Sequence, residues 1–218
     1  MQHTTSEENY IKAIFHLQKE SGKVSTSLLS AAIKTKPASV TDMLKRLQVK
    51  KIVHYQPYYG FELTDSGNKV ALDVIRKHRL WEFFLVNKLG FDWNKVHDVA
   101  EDLEHISSKE LINRLDDFLG NPSFDPHGDP IPDHRGKIKT IRQSSIADLP
   151  LKMTATVSSI SDQSSQMLDM LNHFNITIGS KIKVMRRFEF DLSVEIKIDK
   201  TPLTIISEQV AKNIYCTL

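Results

Sequence analysis

Residues 37–63 read Pro37-Ala38-Ser39-Val40-Thr41-Asp42-Met43-Leu44-Lys45-Arg46-Leu47-Gln48-Val49, then Lys50-Lys51-Ile52-Val53-His54-Tyr55-Gln56, then Pro57-Tyr58-Tyr59-Gly60-Phe61-Glu62-Leu63. In the first run Val40, Met43, Leu44 and Leu47 recur at spacings of three and four, which predicts a helix from about Pro37 to Val49 with proline in its first turn. The stretch Ile52 to Gln56 and the shorter Phe61 to Leu63 flank a Pro-Tyr-Tyr-Gly turn, which predicts a β-hairpin. Working back towards the N-terminus, Leu28, Leu29 and Ile33 predict a short helix over Ser27–Ile33. Before it, Tyr10, Ile11, Ile14, Phe15 and Leu17 predict another from Ser6 to about Glu20, with Ser6 as the N-cap and Gly22 as the break. Three short helices and a hairpin are the pattern of a winged helix-turn-helix.

Working forward, Thr64-Asp65-Ser66-Gly67 caps a long helix from Asp65 to about Lys88, ended by Gly90. Further helices are predicted from about Asp92 to Ile106 and from Ser108 to Leu119. The run Asn121-Pro122-Ser123-Phe124-Asp125-Pro126-His127-Gly128-Asp129-Pro130-Ile131-Pro132 has no helical reading and forms a proline-stiffened connector. Beyond residue 150 period-two segments dominate: Ile176–Ile178, Lys181–Val184, Val194–Ile198 and Thr204–Ile206. They predict a small five-stranded, SH3-like barrel with an inserted helix at Ser164–Phe174. The expected fold is therefore multidomain and mainly α. It comprises a winged helix at 1–75, a helical domain at 76–135, a linker at 136–150 and a small β-barrel at 151–218.

Composition narrows the function classes. With 218 residues, 40% hydrophobic and 26% charged, the chain is globular rather than disordered or fibrous. No apolar run reaches membrane-spanning length and the first residues lack a signal-peptide pattern, so the expectation is a cytoplasmic protein without a membrane partner. The lone cysteine, Cys216, excludes an intrachain disulfide and a cysteine-based zinc finger. The net charge of +2 divides unevenly, with 10 basic against 7 acidic residues over 1–75 and 7 against 9 over 76–120. A basic front and an acidic middle hint at a polyanion partner for one and a cation for the other.

Two constellations carry chemistry. The third helix presents Ala38, Ser39, Thr41, Asp42, Lys45 and Arg46 away from its apolar stripe. Its small polar front suits base edges, while Lys36, Lys45, Arg46, Lys50 and Lys51 suit phosphates and Tyr58 in the wing suits backbone contact. The same face also fits an ordinary solvated basic surface. The second constellation is His97, Glu101, Glu104 and His105, which on one continuous helix would form a stripe about 100° wide beside Val96, Val99, Leu103 and Ile106. On the preceding helix His78 and Glu82 are four apart and share a face. Half-buried carboxylates and imidazoles in that number call for a divalent cation or for protonation. The set is nitrogen and oxygen without thiolate, which favours Mn(II) or Fe(II) over structural zinc. The alternative is a set of surface charges in which i,i+4 pairs support their helices.

The runs Arg76–Leu85, Val96–Ser107 and Asp125–Pro132, with Glu8–Ile14, Ser39–Thr41 and Leu63–Gly67 at the front, resemble the diphtheria-toxin-repressor family of metal-dependent regulators. The resemblance covers about residues 5–135 and extends more weakly over the C-terminal part, which is similar to that family's SH3-like, FeoA-like domain. It implies a homodimeric repressor that binds palindromic double-stranded operators when loaded with Mn(II) or Fe(II), with two metal sites per subunit. His78, Glu82 and His97 match one site and Glu104 and His105 the other. Glu101 falls where manganese-type members carry Glu and iron-type members Cys, a hard donor that favours manganese. Asn9 falls at a ligand position of the second site, Lys12 stands where some manganese-type members have Glu, and Gln163 matches a glutamine contributed by the C-terminal domain. The implied protein has no small-molecule substrate and no catalytic residue.

Two rivals stand beside this reading: a metal-independent winged-helix adaptor and a hydrolase that activates water on the His/Glu stripe. The sequence has no HExxH signature for the latter.

Overall fold

The computed structural model describes residues 3–22, 24–56, 60–199 and 201–218. Helix α1 spans Thr5–Ser21. Its N-cap is Thr4 rather than Ser6: the Thr4 side chain accepts from the Glu7 N–H, and the Glu7 carboxylate accepts from the Thr4 N–H, a reciprocal capping box. Glu7 also accepts from Lys50 Nζ, at 2.7 and 2.9 Å for its two oxygens. Burial would raise the Glu7 carboxyl, but the bonds from Lys50 and the Thr4 N–H outweigh it and hold it below its usual range. Helix α2 spans Thr26–Ala32 and α3 spans Pro37–Val49, and the hairpin β1 (Val53–Gln56) and β2 (Gly60–Leu63) follows. Tyr10, Ile11, Ile14, Phe15, Leu29, Val40, Leu44 and Leu47 make the buried core that the spacing predicts, while Leu28 is exposed.

Ile52 is not the first strand residue. Lys51 takes a left-handed φ of 58°, the Ile52 N–H bonds the Leu47 carbonyl and the Lys51 N–H bonds the Gln48 carbonyl. That is a Schellman cap closing α3, with Ile52 as its buried apolar residue.

Helix α4 runs over Asp65–Leu89, α5 over Val96–Leu103 and α6 over Lys109–Phe118. A Cβ at Gly67 would lie 2.2 Å from the Ile52 carbonyl oxygen, so glycine is what lets the first turn of α4 seat against the base of the hairpin. Helix α5 is shorter than the periodicity predicts at both ends. Residues Asp92–Lys95 form a turn, and Ser108 caps α6 through its Oγ and carbonyl, so the chain turns at Glu104 and His105 to reach that cap.

The chain divides into two compact units, residues 1–78, 102–113 and 132–137 in the first and residues 79–101, 114–131 and 138–218 in the second. The second contains a six-stranded antiparallel sheet instead of five strands. Its strands are β3 (Ser144–Ser145), β4 (Thr154–Ile160), β5 (Lys181–Arg187), β6 (Val194–Ile198), β7 (Leu203–Ile206) and β8 (Ile214–Thr217), in the order β3-β8-β4-β5-β6-β7. Helices α7 (Ser165–His173) and α8 (Glu208–Asn213) complete it, with Leu168, Leu171, Val210 and Ala211 buried in one core with the sheet.

The predicted strand at Ile176–Ile178 is instead the end of α7. Asn175 is left-handed at φ 55°, and the Ile176 and Asn175 N–H groups bond the Leu171 and Asn172 carbonyls. This is a second Schellman cap, whose apolar residue mimics a period-two signal. The connector is ordered as expected. Asp125 Oδ1 accepts the N–H groups of His127 and Asp129 at 2.8 and 2.9 Å, and the Ile160 N–H bonds the His127 carbonyl of the same unit. Gly128 (φ 85°) lies so close to β4 that an added Cβ would sit 1.9 Å from the Ser158 carbonyl oxygen.

Candidate metal centres and nucleic-acid face

The turn after α5 places two side chains in the first unit. Glu104 is fully buried, and Lys12 Nζ of α1 donates to its two oxygens at 2.7 and 2.8 Å. His78 Nδ1 of α4 lies 2.6 Å from Oε2 of the same carboxylate. His105 puts Nδ1 2.6 Å from Glu8 Oε2 and Nε2 3.6 Å from Glu104 Oε1. Burial alone would raise the Glu104 carboxyl; the His78 bond and the Lys12 charge outweigh it and hold it below its usual range. Glu8 and Lys12 are one turn apart on α1 and so share the face that meets this turn. Asn9, 100° further round, is exposed.

A second set lies in the second unit. Glu82 is buried and sets Oε1 3.3 Å from His97 Nδ1, while His97 Nε2 is 3.5 Å from Glu101 Oε1. Glu101 first and Glu82 second hold the proton on His97, pushing it up to about 10, although its side chain is 47% exposed. The other oxygen of Glu82 lies 3.6 Å from Nδ1 of His127, a residue buried beside Asp125. Burial, and then the charges of Glu82 and Asp129, push the Asp125 carboxyl up to about 7. Burial works against charge on His127, but Glu82 outweighs it and raises the ring to about 8. Arg79 donates to Asp129 Oδ2 at 2.8 Å and to the Pro130 carbonyl at 2.6 Å. Gln163 Nε2 donates to Asp129 Oδ2 at 3.3 Å, which places it at the edge of this loop.

The grouping differs from the one that spacing suggests. Because α5 stops at Leu103, His97, Glu101, Glu104 and His105 do not form one helical stripe. In the first unit His78 is joined to Glu104; in the second Glu82 and His97 are joined to Glu101. All the donors are nitrogen or oxygen, since Cys216 is buried in the sheet core, where burial pushes its thiol up to about 12.

On α3, Ala38, Ser39, Lys45 and Arg46 are exposed, as is Lys36 just before it. Thr41 is half-buried and donates its hydroxyl to the Pro37 carbonyl at 3.0 Å. Lys50 is held by Glu7, leaving Lys51 as the exposed lysine after α3. Tyr58 lies outside the described residues.

Three family models cover this architecture. The N-terminal DNA-binding domain of iron-dependent repressors matches residues 2–61, their metal-binding and dimerisation domain matches 64–133, and a FeoA domain matches 145–218. An uncharacterized HTH-type transcriptional regulator of Methanocaldococcus jannaschii is 36% identical over 51% of this chain and 90% of its own length. The chain belongs to the diphtheria-toxin-repressor family. A solved family structure, a manganese-dependent transcriptional repressor in complex with manganese, superposes with a TM-score of 0.86 at 35% identity, over 96% of this chain and 98% of that one. The diphtheria toxin repressor of Corynebacterium efficiens is 33% identical over 125 residues, and the match spans about half of that relative's length, 54%. No helix among the described residues of this diphtheria-toxin-repressor relative is long and apolar enough to cross a membrane.

Sequence reasoning passed over Glu8, Asp125 and His127. The signal for Glu8 was its i,i+4 relation to Lys12. For the other two it was an aspartate two residues before a histidine in a proline-rich loop.

Proposed function

We propose that the chain is a transcriptional repressor that binds a palindromic operator as a homodimer in the cytoplasm when Mn(II), or Fe(II), is bound. The observation that carries this reading is the meeting of α1, a helix of the DNA-binding domain, with the Glu104–His105 turn through Lys12 and Glu8. Family membership weighs on the same side, and because its named relatives are repressors it sets aside the hydrolase.

Glu104 and His105, with Glu8 and His78 beside them, form one donor set; Glu8 takes the place that the resemblance gave to Asn9. Glu82, His97 and Glu101 form the other, with His78 one turn from Glu82 on α4. A divalent cation supplies the positive charge that Glu104 otherwise takes from Lys12 and His78. Bound there, it would take over the role of Lys12 at Glu104 and hold the first turns of α1 against this turn through Glu8. Glu7 carries that adjustment to Lys50 at the end of α3. In a dimer, the two α3 helices are thereby held at a separation near one turn of DNA, roughly 34 Å. The hard donors Glu101 and Glu104, without thiolate, favour manganese.

The test is fluorescence anisotropy of metal-stripped protein on the DNA upstream of its own gene and of neighbouring metal-transporter genes, with Mn(II), anaerobic Fe(II) or Zn(II) added. Binding that requires Mn(II) or Fe(II) at micromolar levels is expected. Binding indifferent to metal would favour the adaptor, which has one observation behind it: Lys12 satisfies Glu104 without any ion.

A further inference from the structure

We propose that Asp42 is a specificity-determining residue of α3, one that accepts a hydrogen bond from the exocyclic amino group of a cytosine in the major groove. The role rests on the chain being an operator-binding repressor and adds to it the base that is read. Helices α2 and α3 are joined by residues 33–36, the helix-turn-helix arrangement in which the second helix enters the major groove. The roll of α3 about its own axis is fixed, because Val40, Leu44 and Leu47 are fully buried on one side. On the other side Ala38, Asp42, Lys45 and Val49 are exposed. Turning about 100° per residue, these four line up within about 60°, so Asp42 stands in the middle of the exposed face.

Asp42 is not spent on the helix's own ion pairs. Lys45 and Arg46 follow it by three and four residues, the spacing at which helical pairs form. Its carboxylate nevertheless has no ion pair or side-chain hydrogen bond among the described residues. The exposed side chains around it, Lys36, Lys45, Arg46 and Lys51, suit phosphates. Beside a duplex that carries one negative charge per roughly 1.7 Å, a carboxylate is repelled unless a donor meets it.

The bases supply two donors in the major groove, the amino groups of adenine and cytosine. The adenine amino group has N7 next to it, an acceptor that repels the second carboxylate oxygen. Cytosine carries no acceptor of its own on that edge, so it is the base that a carboxylate suits. Guanine and thymine offer acceptors there, and Asp42 rejects both. Its neighbours do not duplicate this role. Thr41 spends its hydroxyl on the Pro37 carbonyl at 3.0 Å, while Ala38 and Val49 are apolar and suit a thymine methyl.

The experiment is binding-site selection from a random duplex library by the full chain at saturating Mn(II), with the wild type, Asp42→Asn and Asp42→Ala. In the wild type, one position of each half-site is expected to favour cytosine at least about fivefold. Asp42→Asn is expected to change that position to adenine, whose N6 and N7 pair with an amide. Asp42→Ala is expected to lose the preference at that position alone, and to bind random DNA more tightly because a negative charge leaves the interface. Identical selected sites for all three proteins, or a loss of preference spread over every position in Asp42→Ala, overturn the role of Asp42 and leave operator binding standing. A wild type that enriches no site overturns operator binding, and this role with it.

Discussion

Replacing Lys12 by Met separates the two ways in which Glu104 can be neutralised. Methionine keeps most of the apolar stem and removes the ammonium, which now sits 2.7 and 2.8 Å from the two carboxylate oxygens. Glu104 is fully buried and the Lys12 side chain is 15% exposed, so this is a buried ion pair, and losing one partner of such a pair costs about 3–5 kcal/mol. His78 remains at 2.6 Å and lowers that to about 2–3 kcal/mol. For a chain of this length each kcal/mol moves the melting temperature by about 2–4 °C, so the metal-free variant should melt about 4–12 °C lower. The same free energy opposes metal in the wild type, because the ammonium must leave before both oxygens are available. Lys12→Met should therefore bind Mn(II) about 30- to 150-fold more tightly, and saturating Mn(II) should restore most of the lost melting temperature. Calorimetry with and without Mn(II), beside a Mn(II) titration, reads both quantities. A variant that melts within 1 °C of the wild type and binds Mn(II) with unchanged affinity would show that Lys12 is not what neutralises Glu104.

Further outcomes follow from the same geometry. Glu104→Ala combined with His105→Ala should abolish metal-dependent operator binding while the dimer persists in sedimentation; a retained metal response would refute their role. Arg46→Ala should weaken binding to all DNA sequences alike and reduce the slope of log affinity against log salt by about 1 in anisotropy, as a lost phosphate contact does. His97 is raised to about 10 by Glu101 and Glu82, so its pairs stabilise the metal-free fold fully below its ordinary pKa and lose that contribution as pH rises towards 10. Metal must displace this proton, so Mn(II) affinity at that set should climb with pH by at most about tenfold per unit, less what solvent screening removes, and His97→Gln should flatten the profile. Gly128→Ala should cost at least about 2 kcal/mol in thermal unfolding, because its Cβ would strike the Ser158 carbonyl at a left-handed φ of 85°.

The helices were legible where an apolar stripe met a Gly stop, as in α1 and α4, or a Pro start, as in α3. What escaped had physical reasons. Strand β4, Thr-Ala-Thr-Val-Ser-Ser-Ile, buries small residues and gives almost no hydropathy signal. Ile52 and Ile176 looked like strand residues because a Schellman cap needs an apolar residue just past a helix. The end of α5 was set by competition from the Ser108 cap, which no periodicity reports. In the candidate sites, residue types were readable and partners were not. Spacing brings together residues of one helix, whereas Glu8 with His105 and Glu82 with His127 are pairs made by tertiary packing.

The capping box of α1 has a mechanical corollary. Glu7 grips Lys50 at the end of α3, and its sequence neighbour Glu8 grips His105 beside Glu104. The lever between the ion-sensing turn and the DNA-facing helix is thus a single peptide step long, and adjacent residues on a helix diverge by about 100°. Deleting or inserting one residue between Glu8 and Tyr10 would swing both carboxylates about 100° away from their targets relative to the buried stripe of Tyr10, Ile11 and Ile14, so this stretch tolerates changes of side chain far better than changes of length.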